Sequence, residues 1–269
     1  MRTTVDVEIT RYKGNEIEKV KDTVATERYL KIILGDTEFV TLLCTPSMVK
    51  ELAVGFLVSE GTLKGKWCSE EIDVIDKDDV VIVRIPLIVD PKGDPKGSVV
   101  VTSGCGKGIT FAGKEDITSM KKIASDLTVS IGEIRHLLKD FRERSELYRT
   151  TACVHSAALC KVASGNHGSP EIVVFAEDLG RHNAVDKVFG YSLLNGVSTE
   201  DKVLIVSGRV SSEVLQKAAL RNVPVVMSRT APTSFSVEMA ERAGITLIGF
   251  ARGERMNIYS NDWRVKNED

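Results

Sequence analysis

From residue 150 onward the chain alternates helix-like and strand-like segments, and the strand-like ones are apolar at nearly every position. The runs are EIVVFA (171–176), KVLIVS (202–207), PVVMS (224–228) and TLIGF (246–250). Between them lie helical patterns at HNAVDKVFGYSLLN (182–195), SSEVLQKAAL (211–220) and TSFSVEMAERA (233–243), and TTACVHSAALCKVA (150–163) reads as one more helix before the first run. A strand without a polar side has no face to give to water, so these strands belong in a sheet covered on both faces. Strands joined by helices of this length are normally parallel. This half of the chain is therefore expected to be an α/β sandwich.

In a parallel sheet, the loops leaving the carboxyl ends of the strands emerge on one edge, where such folds place their ligands. Those loops are EDLGR (177–181), SGR (207–209), SRTAPTS (228–234) and ARGER (251–255). They carry Arg181, Arg209, Arg229, Arg252 and Arg255, and three of them run into a helix N-terminus, where free N–H groups and the helix dipole favour an anion. Any one of these arginines can be an ordinary solvated charge. Together, beside small residues such as Gly208 and Gly253, they point to a pyrophosphate or nucleotide-like ligand. His182 opens a helix on this edge, where it can cap the helix, hold the loop or move a proton.

The first third reads as strands with one helix. RYLKII (28–33) and EFVTLLC (38–44) flank Gly35-Asp36, which suits a tight hairpin turn. Thr45-Pro46 reads as an N-cap followed by a first-turn proline, opening a helix that runs to Gly61. Strands are expected at 72–76 and 80–89, a turn-rich loop at DPKGDPKG (90–97), and an amphipathic helix from Ser130 to Tyr148. The expected organisation is a smaller β-rich α+β domain over 1–125 and the α/β domain over 126–269.

Thirty-six basic against thirty-eight acidic residues leave a formal charge of −2, which gives no global attraction to nucleic acid or to a membrane surface. The N-terminus lacks an apolar core of signal-peptide length, so a cytoplasmic location is expected. The five cysteines (44, 68, 105, 153 and 160) are odd in number and contain no CxxC, which fits reduced thiols better than a disulfide framework or a structural zinc site. Cys44, Cys153 and Cys160 sit in apolar segments and read as buried, inert thiols. Cys105 differs. In Thr102-Ser103-Gly104-Cys105-Gly106-Lys107-Gly108 it lies among three glycines and a lysine, a setting that exposes a thiol and lowers its pKa.

ELAVGFLVSEGTL (51–63), TSGCGKG (102–108), EDLGRHNAVDKVFG (177–190), SGRVSSEVLQKAA (207–219) and APTSFSVEMAERAGITLIGFARGERMNIY (231–259) resemble the FdhD family of formate dehydrogenase accessory sulfurtransferases over nearly the whole chain. The resemblance implies a relay in which a cysteine desulfurase loads a persulfide on Cys105. The sulfur then passes to molybdenum bis(molybdopterin guanine dinucleotide), bound transiently as a client on its way into formate dehydrogenase. It further implies that Phe250, Ala251, Arg252, Gly253, Glu254 and Arg255 contact that cofactor. Combined with the arginine-bearing edge, the expected cofactor or guanine-nucleotide contacts add Arg181, His182, Ser207, Gly208, Arg209, Thr230, Thr233 and Ser234. One departure is clear: where many members carry the second cysteine of a CxxC, this chain has Gly108.

The resemblance implies a cytidine-deaminase-like three-layer α/β/α fold for the second domain. Zinc deaminases need H-x-E and P-C-x-x-C. The corresponding stretches here are His155-Ser156-Ala157 and Pro232-Thr233-Ser234-Phe235, so no zinc and no deamination are expected. The alternative reading is a chaperone that binds the cofactor or a guanine nucleotide without sulfur chemistry. The sequence leaves open a homodimer.

Overall fold

The computed structural model describes residues 1–62, 69–86, 99–101, 122–163 and 168–267; Cys105 with its loop, the 90–97 turn, Cys68 and His167 lie outside these. The chain opens with a long hairpin, β1 (Thr4–Lys13) and β2 (Glu16–Ala25). A five-stranded sheet follows, in the order β5-β6-β3-β4-β7, from β3 (Arg28–Leu34), β4 (Thr37–Cys44), β5 (Asp73–Lys77), β6 (Val80–Ile85) and β7 (Val99–Val101). Helix α1 (Val49–Ser59) covers it, burying Leu52, Ala53, Phe56 and Leu57 against Leu30, Ile32, Val40, Leu42, Val81 and Val83. The expected turn at Gly35-Asp36 joins β3 to β4.

Helix α1 starts later than the Thr45-Pro46 signal suggests. Its N-cap is Met48, held at φ 50°, and Thr45 is fully buried. The Thr45 hydroxyl accepts from Lys187 Nζ at 2.8 Å and lies 3.0 Å from Glu177 O and 3.1 Å from Asp178 Oδ2. The threonine that reads locally as a cap therefore joins this unit to the second one.

Next come β8 (Val129–Ser130), α2 (Ile131–Arg144) and α3 (Glu146–Thr151). Ser130 begins α2 with a reciprocal cap, accepting from Glu133 N while its own N–H donates to the Glu133 carboxylate. The predicted single helix to Tyr148 is broken at Ser145, whose hydroxyl donates to Phe141 O at 2.9 Å. Residues 122–125 pack with the second unit, Ile123 being buried in its core.

The second sheet contains β9 (His155–Lys161), β10 (Glu171–Asp178), β11 (Lys202–Val206), β12 (Val225–Ser228), β13 (Thr246–Arg252) and β14 (Arg255–Ser260), in the order β10-β9-β11-β12-β13-β14. The segment predicted as a helix over 150–163 thus supplies an interior strand. Ser156 to Cys160 are all buried, and a short run buried on both faces has no period to separate it from a buried helix. Because β9 is antiparallel to both neighbours, the sheet is mixed, while β10, β11, β12 and β13 still point the same way. Helices α4 (Arg181–Leu194), α5 (Ser212–Leu220) and α6 (Ser234–Ala243) pack on one face and α2 on the other. Along β11, Leu204 and Val206 face the first group while Val203 and Ile205 face α2. No helix among the described residues is long and apolar enough to cross a membrane.

Helices α1 and α4 meet almost backbone to backbone. A Cβ on Gly55 would lie 1.9 Å from Asp186 O, and one on Gly190 would lie 1.8 Å from Glu51 O. Neither obstacle is a side chain that could swing away. Gly55→Ala and Gly190→Ala are each expected to lose about 3 kcal/mol or more of stability through forced separation of the helices, read as a lower urea midpoint at unchanged slope.

Candidate functional site at one edge of the second sheet

The four arginine-bearing loops lie on one edge, as the sequence predicts, because β10 to β13 share a direction. Antiparallel β9 adds its own N-terminus to this edge, pairing His155 with Asp178. His155, read as part of a helix, thus stands in the candidate site: a Cβ built on Gly208 would lie 3.2 Å from His155 Nδ1 and 3.4 Å from Arg181 Cβ. Burial, Arg181 and Arg209 together hold this imidazole below its ordinary range, against the opposing pull of Asp178. Cys153 also differs from expectation. It is exposed, two residues before β9, whereas Cys44 and Cys160 are buried. Burial pushes the Cys44 thiol up to about 12 and pushes Cys160 up as well, which removes both as nucleophiles.

Asp178 organises the loop between β10 and α4. Its carboxylate accepts from Gly180 N and Asn183 Nδ2, each at 2.9 Å, and from Thr45 N at 3.1 Å. It is paired with Lys187 at 2.7 Å, both side chains being fully buried. A second buried pair lies beside it, at the preceding residue: Lys217 Nζ donates to Asp186 Oδ1 at 2.7 Å, and Ser59 from α1 donates to the same oxygen at 2.7 Å. Sequence reasoning missed both pairs. Asp186 and Lys187 are adjacent on α4, and their partners come from α5 and β10, far away in sequence.

The remaining predicted residues hold the loops together. Ser207 Oγ accepts from Ser156 N at 2.8 Å, and Gly208 O accepts from Ser228 Oγ at 2.7 Å. Thr230 N donates to Ser228 Oγ, and Phe250 N donates to Thr230 O. Thr233 caps α6 by accepting from Ser236 N, with exposed Ser234 opening the helix. Phe250 sits at φ 52°, a left-handed conformation costly for an aromatic residue, and the Arg255 guanidinium lies 5.9 Å from its ring centre. Gly249 before it admits no side chain, since a Cβ would stand 2.9 Å from Tyr259 and 3.0 Å from Pro232. Ala251 is buried, while Arg252, Gly253 and Glu254 form the exposed turn into β14. Arg252 Nε donates to Arg229 O at 2.7 Å, tying two of the loops together.

Residues 25–266 match the model of the FdhD/NarQ family. The chain belongs to that family. It is 38% identical over 267 residues to the sulfur carrier protein FdhD of Bacillus subtilis (strain 168), covering 98% of each chain. It is 37% identical over 260 residues to the FdhD of Listeria monocytogenes serotype 4b (strain F2365), covering 96% of this chain and 97% of the other. It is also similar to a crystal structure from Desulfotalea psychrophila of a protein assigned as a formate dehydrogenase accessory protein, with a TM-score of 0.77, 26% identity, and coverage of 98% of this chain and 100% of that one.

Within this FdhD-family chain, in the stretches set against the zinc-deaminase motifs above, His155 keeps its imidazole at the start of β9, Ala157 is buried in β9, Thr233 is a helix cap and Phe235 is exposed. Among the described residues no three His, Cys, Asp or Glu side chains cluster as metal ligands.

His182 is pushed down to about 3 from the ordinary 6.5, first by burial and then by Lys217 and Arg181. Glu213 Oε2 lies 3.0 Å from its Nε2 without hydrogen-bond alignment, and this carboxylate, 36% exposed, opposes the shift only through a screened charge. The folded chain thus binds this proton less readily than the unfolded chain, so stability is lost as pH falls from about 6.5 towards 3. His182→Gln is expected to flatten the dependence of the urea midpoint on pH in that window; an unchanged profile would show that His182 titrates normally.

Proposed function

We propose that this chain is a sulfur carrier. It accepts sulfur from a cysteine desulfurase as a persulfide on Cys105 and passes it to molybdenum bis(molybdopterin guanine dinucleotide) destined for a formate dehydrogenase. Family membership and the relatives named sulfur carrier protein support the sulfur chemistry. The observation that carries the cofactor half is the row of arginine-bearing loops along one sheet edge. From β10 to β13 it crosses four strand spacings, about 19 Å, too long for a single phosphate and suited to an elongated dinucleotide. Arg181 and Arg209 flank one end beside His155, and Arg229, Arg252 and Arg255 flank the other. Guanidinium forks and the N-termini of α4, α5 and α6 are the donors a pyrophosphate needs.

The donor cysteine must be nucleophilic when it receives sulfur and a good leaving thiolate when the sulfur–sulfur bond breaks. Cys44 and Cys160 fail both demands. Cys105 meets them by its glycine- and lysine-rich sequence, and the exposed Cys153 is its competitor. With Gly108 at the second loop position, transfer proceeds from a single persulfide without an intraloop disulfide. The same reading places the protein in the cytoplasm and without a catalytic zinc.

Incubation with a cysteine desulfurase and cysteine, followed by peptide mapping, is expected to find the added sulfur on Cys105. Cys105→Ala should lose both the label and the activation of formate dehydrogenase. Sulfur found chiefly on Cys153, or full activation by Cys105→Ala, would overturn the assignment, the latter in favour of a binding chaperone. Calorimetric titration with GDP is expected to show binding roughly tenfold or more weaker in Arg209→Ala, since a charge-assisted hydrogen bond contributes about 1.5 to 3 kcal/mol. Unchanged affinity in the folded variant would place the nucleotide elsewhere.

A further inference from the structure

On the α2 face of the second sheet, behind the β13–β14 turn, lies a cavity of about 230 Å³ lined by Arg135, Leu138, Lys139, Arg142, Arg229, Ala251, Arg252 and Gly253. Five of the eight are cations, and no lining residue is acidic. The three on α2 stand at positions i, i+4 and i+7, which puts them on one helix face. Among the described residues, none of the five forms an ion pair with a carboxylate. Of the acids of α2, Asp140 pairs with Arg144 at 3.4 Å and Glu133 accepts from Ser130 N and Ala163 N, while exposed Glu143, four residues after Lys139, forms no ion pair among the described residues.

Like charges at i and i+4 destabilise a helix, and five around one concavity repel further. Four of the five are exposed, so water and salt screen much of this repulsion, but their convergence on one concavity from two elements is a setting that an anion between them would stabilise. The cavity falls below the 300–1,000 Å³ of pockets that enclose whole drug-sized ligands. It therefore suits a compact, multiply charged group with the rest of its molecule outside. The formal charge of −2 argues against a nucleic-acid backbone as occupant. Two elements present the donors from opposite sides, α2 from one and the ends of β12 and β13 from the other. The hydrogen bond from Arg252 to Arg229 O joins this cavity to the arginine row.

We propose that this cavity is a diphosphate site, in which Arg135, Lys139 and Arg142 of α2 face Arg229 and Arg252 across the pyrophosphate of a nucleotide ligand. This rests on the reading of the sheet edge as a nucleotide-binding surface and extends it onto a helix that the FARGER segment does not include. Guanidinium and ammonium groups supply the hydrogen-bond donors, and no bond is made or broken.

The test is calorimetric titration of the full chain with inorganic pyrophosphate, with GDP and, separately, with a hexa-aspartate peptide. The variants are Arg135→Glu/Lys139→Glu, Arg209→Ala, and a control with the same charge change on the N-terminal hairpin, Lys19→Glu/Lys21→Glu. The α2 residues are exposed, so circular dichroism and the urea midpoint should confirm an intact fold. The expected result is pyrophosphate and GDP binding at least tenfold weaker in the α2 variant, with the hairpin control within twofold of wild type. An α2 variant that keeps wild-type affinity while Arg209→Ala loses it would overturn this inference and leave the sheet-edge reading standing. Equal losses in the α2 and hairpin variants would reduce the effect to net charge and overturn it too. Tighter binding of the acidic peptide than of pyrophosphate would reassign the cavity to a protein partner. No binding of either phosphate ligand to wild type would sink both readings.

Discussion

Helices α1 and α4 approach so closely that each presents a glycine to the other's backbone, and the two sheets of the molecule are built outward from that contact. Gly55 and Gly190 remove the side chains that would hold the helices apart, which leaves α4 buried between α1 and the second sheet. Dispersion between two backbones at this distance favours the contact, but it also carries peptide groups and charges away from water. Asp186 and Lys187, in the middle of α4, are nearly inaccessible. A buried charge without a partner would cost several kcal/mol, so each must be answered in place. Lys187 is met by Asp178 from the end of β10 and by Thr45 from the first unit, and Asp186 by Lys217 from α5 and Ser59 from α1.

This solution to a packing problem also sets the candidate site. Asp178 fixes the Gly180 and Asn183 positions that begin α4, and so the direction in which Arg181 and His182 leave the sheet. The ends of β11, β12 and β13 are stapled in turn by Ser207, Ser228 and Thr230. The arginines therefore project from loops tied to one another by hydrogen bonds, and the strained backbone at Phe250 persists because those loops surround it. Under the proposed function, a ligand entering here would meet loops placed beforehand, with less ordering entropy left to lose.

Charge is distributed in the same economical way. The chain as a whole is close to neutral, yet cations collect along one edge of the second sheet and continue onto α2. Under the proposed function, local concentration within a balanced total would let the protein hold a phosphate-bearing client without becoming a general polyanion binder. The thiols are sorted similarly, Cys44 and Cys160 being silenced by burial while Cys153 stays exposed.

What the sequence determined by itself is the set of local elements and the identity of the family. The apolar runs at 171–176, 202–207, 224–228 and 246–250 are strands, and the intervening patterns are helices, because burial on both faces and the 3.6-residue period leave marks that need no partner to read. The arginine-bearing loops followed from strand direction alone. The place of β9 could not be read, since Ser156 to Cys160 are as apolar as a buried helix, and only pairing with β10 and β11 distinguishes the two. With it were hidden His155 and the exposure of Cys153. Thr45 carried every local sign of a helix cap, and the distant Asp178 and Lys187 claimed it instead. The gathering of α2's cations beside the β13–β14 turn was equally beyond reach, because the sequence does not say which charges of another element an exposed helix face will meet. Local preference is written residue by residue, whereas the partner of a buried polar group or a cluster of charges is decided by which segments the whole chain brings together.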